Sequence, residues 1–136
     1  DAIGNPEPAL TIPAGLVSNV NVLGFVDDFR PIVHAAAIMV VPLHLGSGTR
    51  LKVVEGMAMG KCIISTTKGA EGIEVKGNTD LIFANTATEF ARSITETLNN
   101  PEQRAEIELN ARQQAEKLYS WEKIGQTLRA SYRQLL

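Results

Sequence analysis

Residues 45–60, LGSGTRLKVVEGMAMG, are the stretch that decides the fold. They follow an apolar, strand-like run at 37–42 and pass through a Gly-x-Gly turn into a helix-forming segment. In α/β proteins a turn of this kind lies at the ligand-binding edge of the sheet, and the unpaired N–H groups of the helix start favour an anion. The stretch therefore predicts an anion site between a strand and a helix.

Working outward, the apolar runs at 20–26, 61–66 and 81–84 predict three more strands. The run at 37–42 is apolar throughout, which is typical of a strand buried on both faces of a parallel sheet. Strands that alternate with helices indicate βαβ units, so the predicted fold class is α/β, with a Rossmann-like parallel sheet flanked by helices. Right-handed crossovers bring the loops after residues 42 and 66 to one edge of that sheet.

The last 50 residues predict a helical C-terminus. Thr86 and Glu89 form a capping-box pattern before a helix whose expected buried stripe is Ala87, Ala91, Ile94 and Leu98. An Asn-Pro pair at 100–101 begins the next helix, and Ser120 caps the last one. We expect Trp121, in the first turn of that last helix, to anchor it in the core.

Composition restricts the functional classes. The chain has 136 residues, 44% hydrophobic and 21% charged, with a net charge of −2 and one cysteine, Cys62. These values fit one globular domain and give no support for binding nucleic acid or an anionic membrane. The sequence contains no signal peptide and no apolar run of about 20 residues, and Cys62 lies in an apolar run, so we expect a core cysteine and a cytoplasmic protein.

The chain ends give an expectation about domain organisation. Residues 1–15 are rich in Pro and Gly and begin without Met, which indicates a loop cut from a longer protein or a matured N-terminus. We therefore treat 1–136 as a single, truncated domain in which 1–18 is a linker or loop. Removing strands from such a sheet would expose an edge, so a homodimer through that edge is expected.

Two common phosphate motifs can be rejected for the glycine turn. The P-loop pattern is missing, and Leu51 stands where a dinucleotide fingerprint requires its last glycine. A purely structural tight turn remains an alternative. Glu55 favours binding, because we expect it to be buried in an apolar helix, where a carboxylate needs a partner such as a ligand diol. A diphosphate on the backbone of residues 48–51, with a bidentate contact from Arg50, would complete a nucleotide.

Four segments together resemble a known family. These are NVLGFVDD after Asn19, the glycine turn and helix with its E-x7-E-like spacing, the loop TTKGAEG at 66–72, and YSWE at 119–122. They resemble the C-terminal domain of GT-B-fold glycosyltransferases of family 4, the "glycosyl transferases group 1" type. The resemblance covers the chain from Asn19 to its end.

The resemblance implies a retaining, nucleotide-sugar-dependent enzyme that transfers a sugar to an acceptor hydroxyl. Glu55 corresponds to the second Glu of E-x7-E, which holds ribose hydroxyls, and the turn corresponds to the loop that meets the diphosphate and the sugar. The first Glu falls on Ser47, so a donor-sugar contact is changed here. The expected nucleotide-sugar-binding residues are Gly46, Ser47, Gly48, Thr49, Arg50, Leu51, Glu55 and Glu71.

The same resemblance implies what this chain does not supply. The family's basic diphosphate-binding pair and its acceptor domain lie in segments outside this sequence, so no catalytic residue is assigned here and the fragment alone is expected to be inactive. We expect no cofactor and no metal, since the nucleotide-sugar is a substrate. Peripheral association of the full-length enzyme with the inner face of the membrane stays open. The alternatives are a non-catalytic interaction domain and a related GT-B enzyme such as a sugar epimerase or phosphorylase.

Overall fold

A computed structural model describes residues 2–3, 13–46 and 48–134 of the chain. Ser47 therefore lies outside the described residues. The chain divides into two compact units, residues 1–32 and 33–136, which are described separately. No helix in the described parts of the chain is both long enough and apolar enough to cross a membrane.

The first unit contains a pair of parallel strands, β1 (Ala2–Ile3) and β2 (Val22–Gly24). A 3₁₀ helix, Ala14–Asn19, precedes β2. The predicted strand at 20–26 is thus confirmed in a shorter form. The predicted linker at 1–18 overlaps two short elements, and its place as a domain boundary stays a prediction.

The second unit contains a parallel three-stranded sheet of β3 (Met39–Val41), β4 (Ile63–Ser65) and β5 (Ile82–Phe83), in that order across the sheet. Met39 pairs with Ile63 and Ile64 pairs with Ile82, and all pairings are parallel. The predicted α/β fold with a parallel sheet is confirmed. All three loops that follow these strands therefore leave from the same edge.

Five α-helices accompany the strands in the part of the chain that the structure describes, and their bounds are α1 Arg30–Ala35, α2 Leu51–Ala58, α3 Ala87–Asn99, α4 Pro101–Tyr119 and α5 Trp121–Arg133. The predicted caps of the last three are confirmed at Thr86, Asn100 and Ser120. The core lies where α2 and α4 meet the sheet, and its buried members are Val41, Val53, Met57, Ile63, Ala70, Leu81, Ala111 and Ala115. This core fixes α2, and with it the turn that precedes the helix.

Lys61, which precedes β4, binds the segment that precedes β3. Its side chain is buried, and its Nζ donates to the main-chain carbonyls of His34 and Ala36, each at 3.0 Å. The His34 carbonyl lies in the last turn of α1 and the Ala36 carbonyl follows directly after it, where helical acceptors lack partners. A buried ammonium is thereby satisfied, and the start of β3 is held against the start of β4.

Three expectations about burial are wrong. β4 is buried throughout, but Val40 in β3 is 46% exposed while Val41, which points to the opposite face, is buried, so only one face of β3 is covered. In α3 the buried residues are Ser93 and Thr97 instead of the apolar stripe, since the small polar face packs against α4 and β4. Trp121 is 87% exposed, and no residue of α5 is buried. An amphipathic pattern shows that a face suits burial but does not show what covers it.

Candidate functional site

The loops after β3 and β4 are held together by Thr66. Its hydroxyl donates to the main-chain carbonyl of Leu43 and accepts from the N–H of Gly69 at 2.8 Å. The Thr66 N–H itself donates to the carbonyl of Val41 at 3.2 Å. Because Thr66 is fully buried, these bonds satisfy polar groups that have no access to water. The predicted meeting of the two loops at one sheet edge is therefore present in the structure.

The glycine turn has a backbone that only glycine adopts readily. Gly46 has φ +133° and Gly48 has φ +96°, both in the left-handed half of conformational space. The turn leads to Arg50, the N-cap of α2, which makes no side-chain capping bond. Within the described residues, the N–H groups of Leu51 and Lys52 donate to no backbone carbonyl, as expected for a helix start. Backbone N–H groups at a helix start suit an anion.

Arg50 is the buried residue of this turn. It is only 9% exposed, whereas Gly46, Gly48, Thr49 and Leu51 are exposed. Its Nη2 donates to the carbonyl of Gly46 at 3.1 Å and to the Glu71 carboxylate at 3.4 Å. Its Nε is buried without a hydrogen-bond partner in the described part of the chain. The guanidinium thus joins the glycine turn to the loop after β4 and retains an unused donor.

Glu71 lies between two cations. Its Oε2 accepts from Lys68 Nζ at 2.5 Å, and the same oxygen accepts from Arg50. The hydrogen bond from Lys68, more than any other contact, lowers the pKa of Glu71 below its ordinary value, with Arg50 contributing less. From the sequence alone no role is assigned to Lys68, so its pairing with Glu71 is a feature that the structure adds. The only available hint is its i,i+3 spacing from Glu71.

A shallow cavity of about 480 Å³ lies beside Glu71, on the side of β5. It is lined by Thr67, Lys68, Ala70, Glu71, Ile73, Val75, Phe83 and Asn85. Asn85 orders its rim by accepting from the Thr67 N–H at 2.9 Å. Glu71 lines this cavity and also pairs with Arg50 and Lys68, whereas Glu55 and the glycine turn do not line the cavity.

Glu55 is exposed, although its apolar neighbours in the sequence predict that it is buried. The helix buries one face, Val53, Gly56 and Met57, and Glu55 is exposed on another. The expectation of a helix buried nearly all round is wrong, because the buried face of α2 packs on the sheet and α4 while its other face meets solvent. No side-chain hydrogen bond or ion pair of Glu55 occurs among the described residues. Its carboxylate is therefore available to a ligand, but burial gives no reason for it to need one.

Among the residues that the structure describes, the two histidines and the cysteine of the chain form no side-chain cluster with those of the glycine turn. His34 and His44 are exposed, and Cys62 is fully buried as expected for a core residue. Burial, aided by the nearby charge of Glu108, raises the pKa of the Cys62 thiol to about 11. In the described ranges no three His, Cys, Asp or Glu side chains are placed to hold a metal ion. The expectation that no metal is needed stays a prediction.

Comparison with known proteins identifies the class to which this fold and site belong. The family described as glycosyl transferases group 1 matches residues 2–100, about three quarters of the chain. The chain belongs to this family, as the sequence motifs predict. No curated protein sequence matches it.

Solved structures with similar folds agree with that assignment. Alr3699/HepE from Anabaena, in complex with UDP, matches with a TM-score of 0.81 at 20% identity, over 88% of this chain and 34% of its own. The sucrose-phosphate synthase of Thermosynechococcus elongatus matches with a TM-score of 0.77 at 26% identity, over 89% and 31%. A glycosyltransferase from Rickettsia africae ESF-5 gives 0.76 at 17% identity, over 88% and 34%. The chain spans about one third of the length of each, and its fold is that of the C-terminal domain of a GT-B glycosyltransferase.

Proposed function

We propose that this chain is the nucleotide-sugar-binding part of a retaining glycosyltransferase that transfers a sugar to an acceptor hydroxyl. The observation that carries the proposal is the glycine turn at the start of α2, where the N–H groups of Leu51 and Lys52 have no backbone acceptor among the described residues and the buried Arg50 contacts Glu71 of the Lys68–Glu71 pair. In a member of glycosyl transferases group 1, this arrangement suits the diphosphate of a donor.

The proposed arrangement extends along α2. The diphosphate would lie against residues 48–51, and the ribose would reach Glu55, four residues after Leu51. At a rise of about 1.5 Å per residue, this places the carboxylate roughly 6 Å further along the helix. That separation suits a phosphate and the ribose attached to it. Because Glu55 is exposed, its carboxylate is accessible to the ribose hydroxyls, which would replace the water molecules bound to it.

The chemical role proposed for this chain is electrostatic. Departure of the sugar leaves charge on the diphosphate, and donors fixed at that position stabilise it. Backbone N–H groups at a helix start are suited to this role because they require no reorganisation. Since residues of the acceptor side lie in another part of the enzyme, we propose that the chain alone binds the donor but does not transfer the sugar.

The test is calorimetric titration of the protein with UDP, GDP and their sugar conjugates. UDP is a natural first probe, because a protein of the same fold was crystallised with it. We expect a nucleoside diphosphate to bind and the matching nucleoside to bind at least about tenfold more weakly, a difference of about 1.4 kcal/mol. If no nucleotide binds and thermal stability is unchanged by all of them, the chain is instead a non-catalytic interaction domain.

A homodimer through the sheet edge is a separate part of the proposal. β3 is an edge strand, and the exposed side chain of Val40 gives it an apolar outer surface. Light scattering at increasing concentration measures the mass directly. A constant monomer mass at high concentration would exclude pairing through β3.

A further inference from the structure

We propose that the Glu71 carboxylate competes with the donor's diphosphate for Arg50 at the proposed diphosphate site, residues 48–51, and that it is displaced when the donor binds. The inference rests on the proposed function and concerns the same site. It assigns Glu71 the role of a competitor of the donor, whereas the family resemblance suggests a residue on the donor's side of the cleft. The two roles predict effects of opposite sign when the carboxylate is removed.

The first observation is that one carboxylate oxygen serves two cations. Oε2 of Glu71 is 2.5 Å from Lys68 Nζ and 3.4 Å from Arg50 Nη2. A single oxygen cannot give a guanidinium the two parallel hydrogen bonds that a bidentate anion provides. The contact with Arg50 is therefore a weak one that a phosphate with several oxygens could improve.

The second observation is the incomplete bonding of Arg50. Its side chain is more than nine-tenths buried, yet Nε makes no hydrogen bond within the described residues. A buried donor left without an acceptor is destabilising. We infer that an anion bound at the start of α2 reaches this donor once Glu71 has moved away, in addition to the helix-start N–H groups of Leu51 and Lys52. While Glu71 is the anion at this site, the hydrogen-bond donors of Arg50 are therefore only partly satisfied.

The third observation is that Glu71 can leave. Its side chain is 58% exposed, and Lys68 is also accessible to solvent. Exposed ion pairs contribute little to stability, so their separation is inexpensive compared with the charge-assisted bonds that a diphosphate would make. When the diphosphate enters, the carboxylate turns to solvent, and Lys68 and Arg50 are released to bind the ligand.

The test compares Glu71→Gln with Glu116→Gln in titrations with inorganic pyrophosphate and with UDP. Glu116 is the matched control, since it forms an exposed ion pair with Arg112 at 2.8 Å on α4 and its change removes the same charge. We expect Glu71→Gln to tighten both ligands by about threefold or more, whereas Glu116→Gln leaves affinity unchanged within experimental error. Circular dichroism checks that both variants fold.

The outcomes separate this inference from the proposed function. If the wild type binds UDP and Glu71→Gln binds it equally or more weakly, Glu71 is not a competitor, while nucleotide binding stands. If neither the wild type nor the variants bind either ligand, the proposed function fails and this inference fails with it. Lys68→Ala provides a second check: the gain from Glu71→Gln must shrink in the Lys68→Ala background, because one of the released cations is then missing. An undiminished gain would contradict the proposal.

Discussion

Thr66, the first residue after β4, donates its hydroxyl to the main-chain carbonyl of Leu43, two residues after β3. The bond connects the loop that leads to the glycine turn with the loop that carries Lys68 and Glu71. Gly69 N–H donates to the same hydroxyl, so one side chain fixes both loops. The geometry of the candidate site therefore depends on a residue that need not touch any ligand.

The first prediction concerns this hydroxyl. Thr66→Val keeps the shape of the side chain but leaves the Leu43 carbonyl and the Gly69 N–H without their partner. We expect the free energy of unfolding to fall by about 1–3 kcal/mol, measured by urea denaturation. Thr66→Ser is the control, since it retains the hydroxyl and should lose less. Equal losses in the two variants would show that packing of the methyl group, not the hydrogen bonds, is what matters.

A second prediction concerns Gly69, where the chain approaches its neighbours too closely for a side chain. A Cβ there would lie 2.9 Å from the main-chain oxygen of Val41 and 2.5 Å from Ser65 Oγ. Backbone cannot move aside as a flexible side chain does, so we expect Gly69→Ala to destabilise the protein by at least about 1 kcal/mol. Gly125→Ala, in α5 with no atom near its Cβ, should instead stabilise by up to about 1 kcal/mol through helix propensity. Thermal unfolding of the two variants measures this: the Tm should fall for Gly69→Ala and rise for Gly125→Ala.

A third prediction uses the pH dependence of the capping box at α3. The N–H groups of Asn85 and Thr86 donate to Glu89 at 2.6 and 3.0 Å and lower the pKa of Glu89 below its ordinary value of 4.5. Because the folded-state pKa is the lower one, the stabilisation is fully present above about pH 4.5 and is lost as the pH falls through the folded-state value. The difference in Tm between the wild type and Glu89→Gln should therefore be constant near neutral pH and shrink in acid. A difference that stays the same at every pH would contradict this assignment.

The sequence predicts the fold well where local chemistry decides the structure. The three caps at Thr86, Asn100 and Ser120 occur as expected, because each depends on a side chain within three residues of its partner. The order of strands and helices likewise follows from periodicity. Gly46 and Gly48 also adopt the backbone that their turn requires.

Burial is where the sequence is a poor guide, because it depends on what covers each face. Val40 lies in an apolar strand, and Trp121 is a large aromatic residue that the sequence predicts to be buried, yet both are exposed. Glu55 shows the reverse error, since apolar neighbours in the sequence do not make a buried helix face. The pairing of Arg50 with Glu71 joins residues 21 positions apart and could be derived only from the structure.

The last prediction concerns Glu55, whose proposed role can be tested atom by atom. Since Glu55 is exposed, Glu55→Ala should change the free energy of unfolding by less than about 0.5 kcal/mol. We expect it nevertheless to weaken nucleotide-sugar binding by about tenfold or more, because the ribose loses its acceptor. Calorimetry on the wild type and the variant measures this loss. Glu106→Ala, an exposed carboxylate on α4, is the control for the charge change and should bind as the wild type does.

Removing the 2′-hydroxyl of the ribose from the ligand, in combination with Glu55→Ala, gives a double-mutant cycle. If Glu55 accepts from the ribose, 2′-deoxy-UDP must bind the wild type more weakly than UDP does, and the two ligands must bind Glu55→Ala with nearly equal affinity. The coupling between the two changes then isolates the carboxylate–hydroxyl contact from indirect effects. If the 2′-deoxy ligand is penalised equally in both proteins, Glu55 does not accept from the 2′-hydroxyl, and 3′-deoxy-UDP tests the 3′-hydroxyl in the same way. Equal penalties in both proteins for both deoxy ligands would limit the site on α2 to the diphosphate.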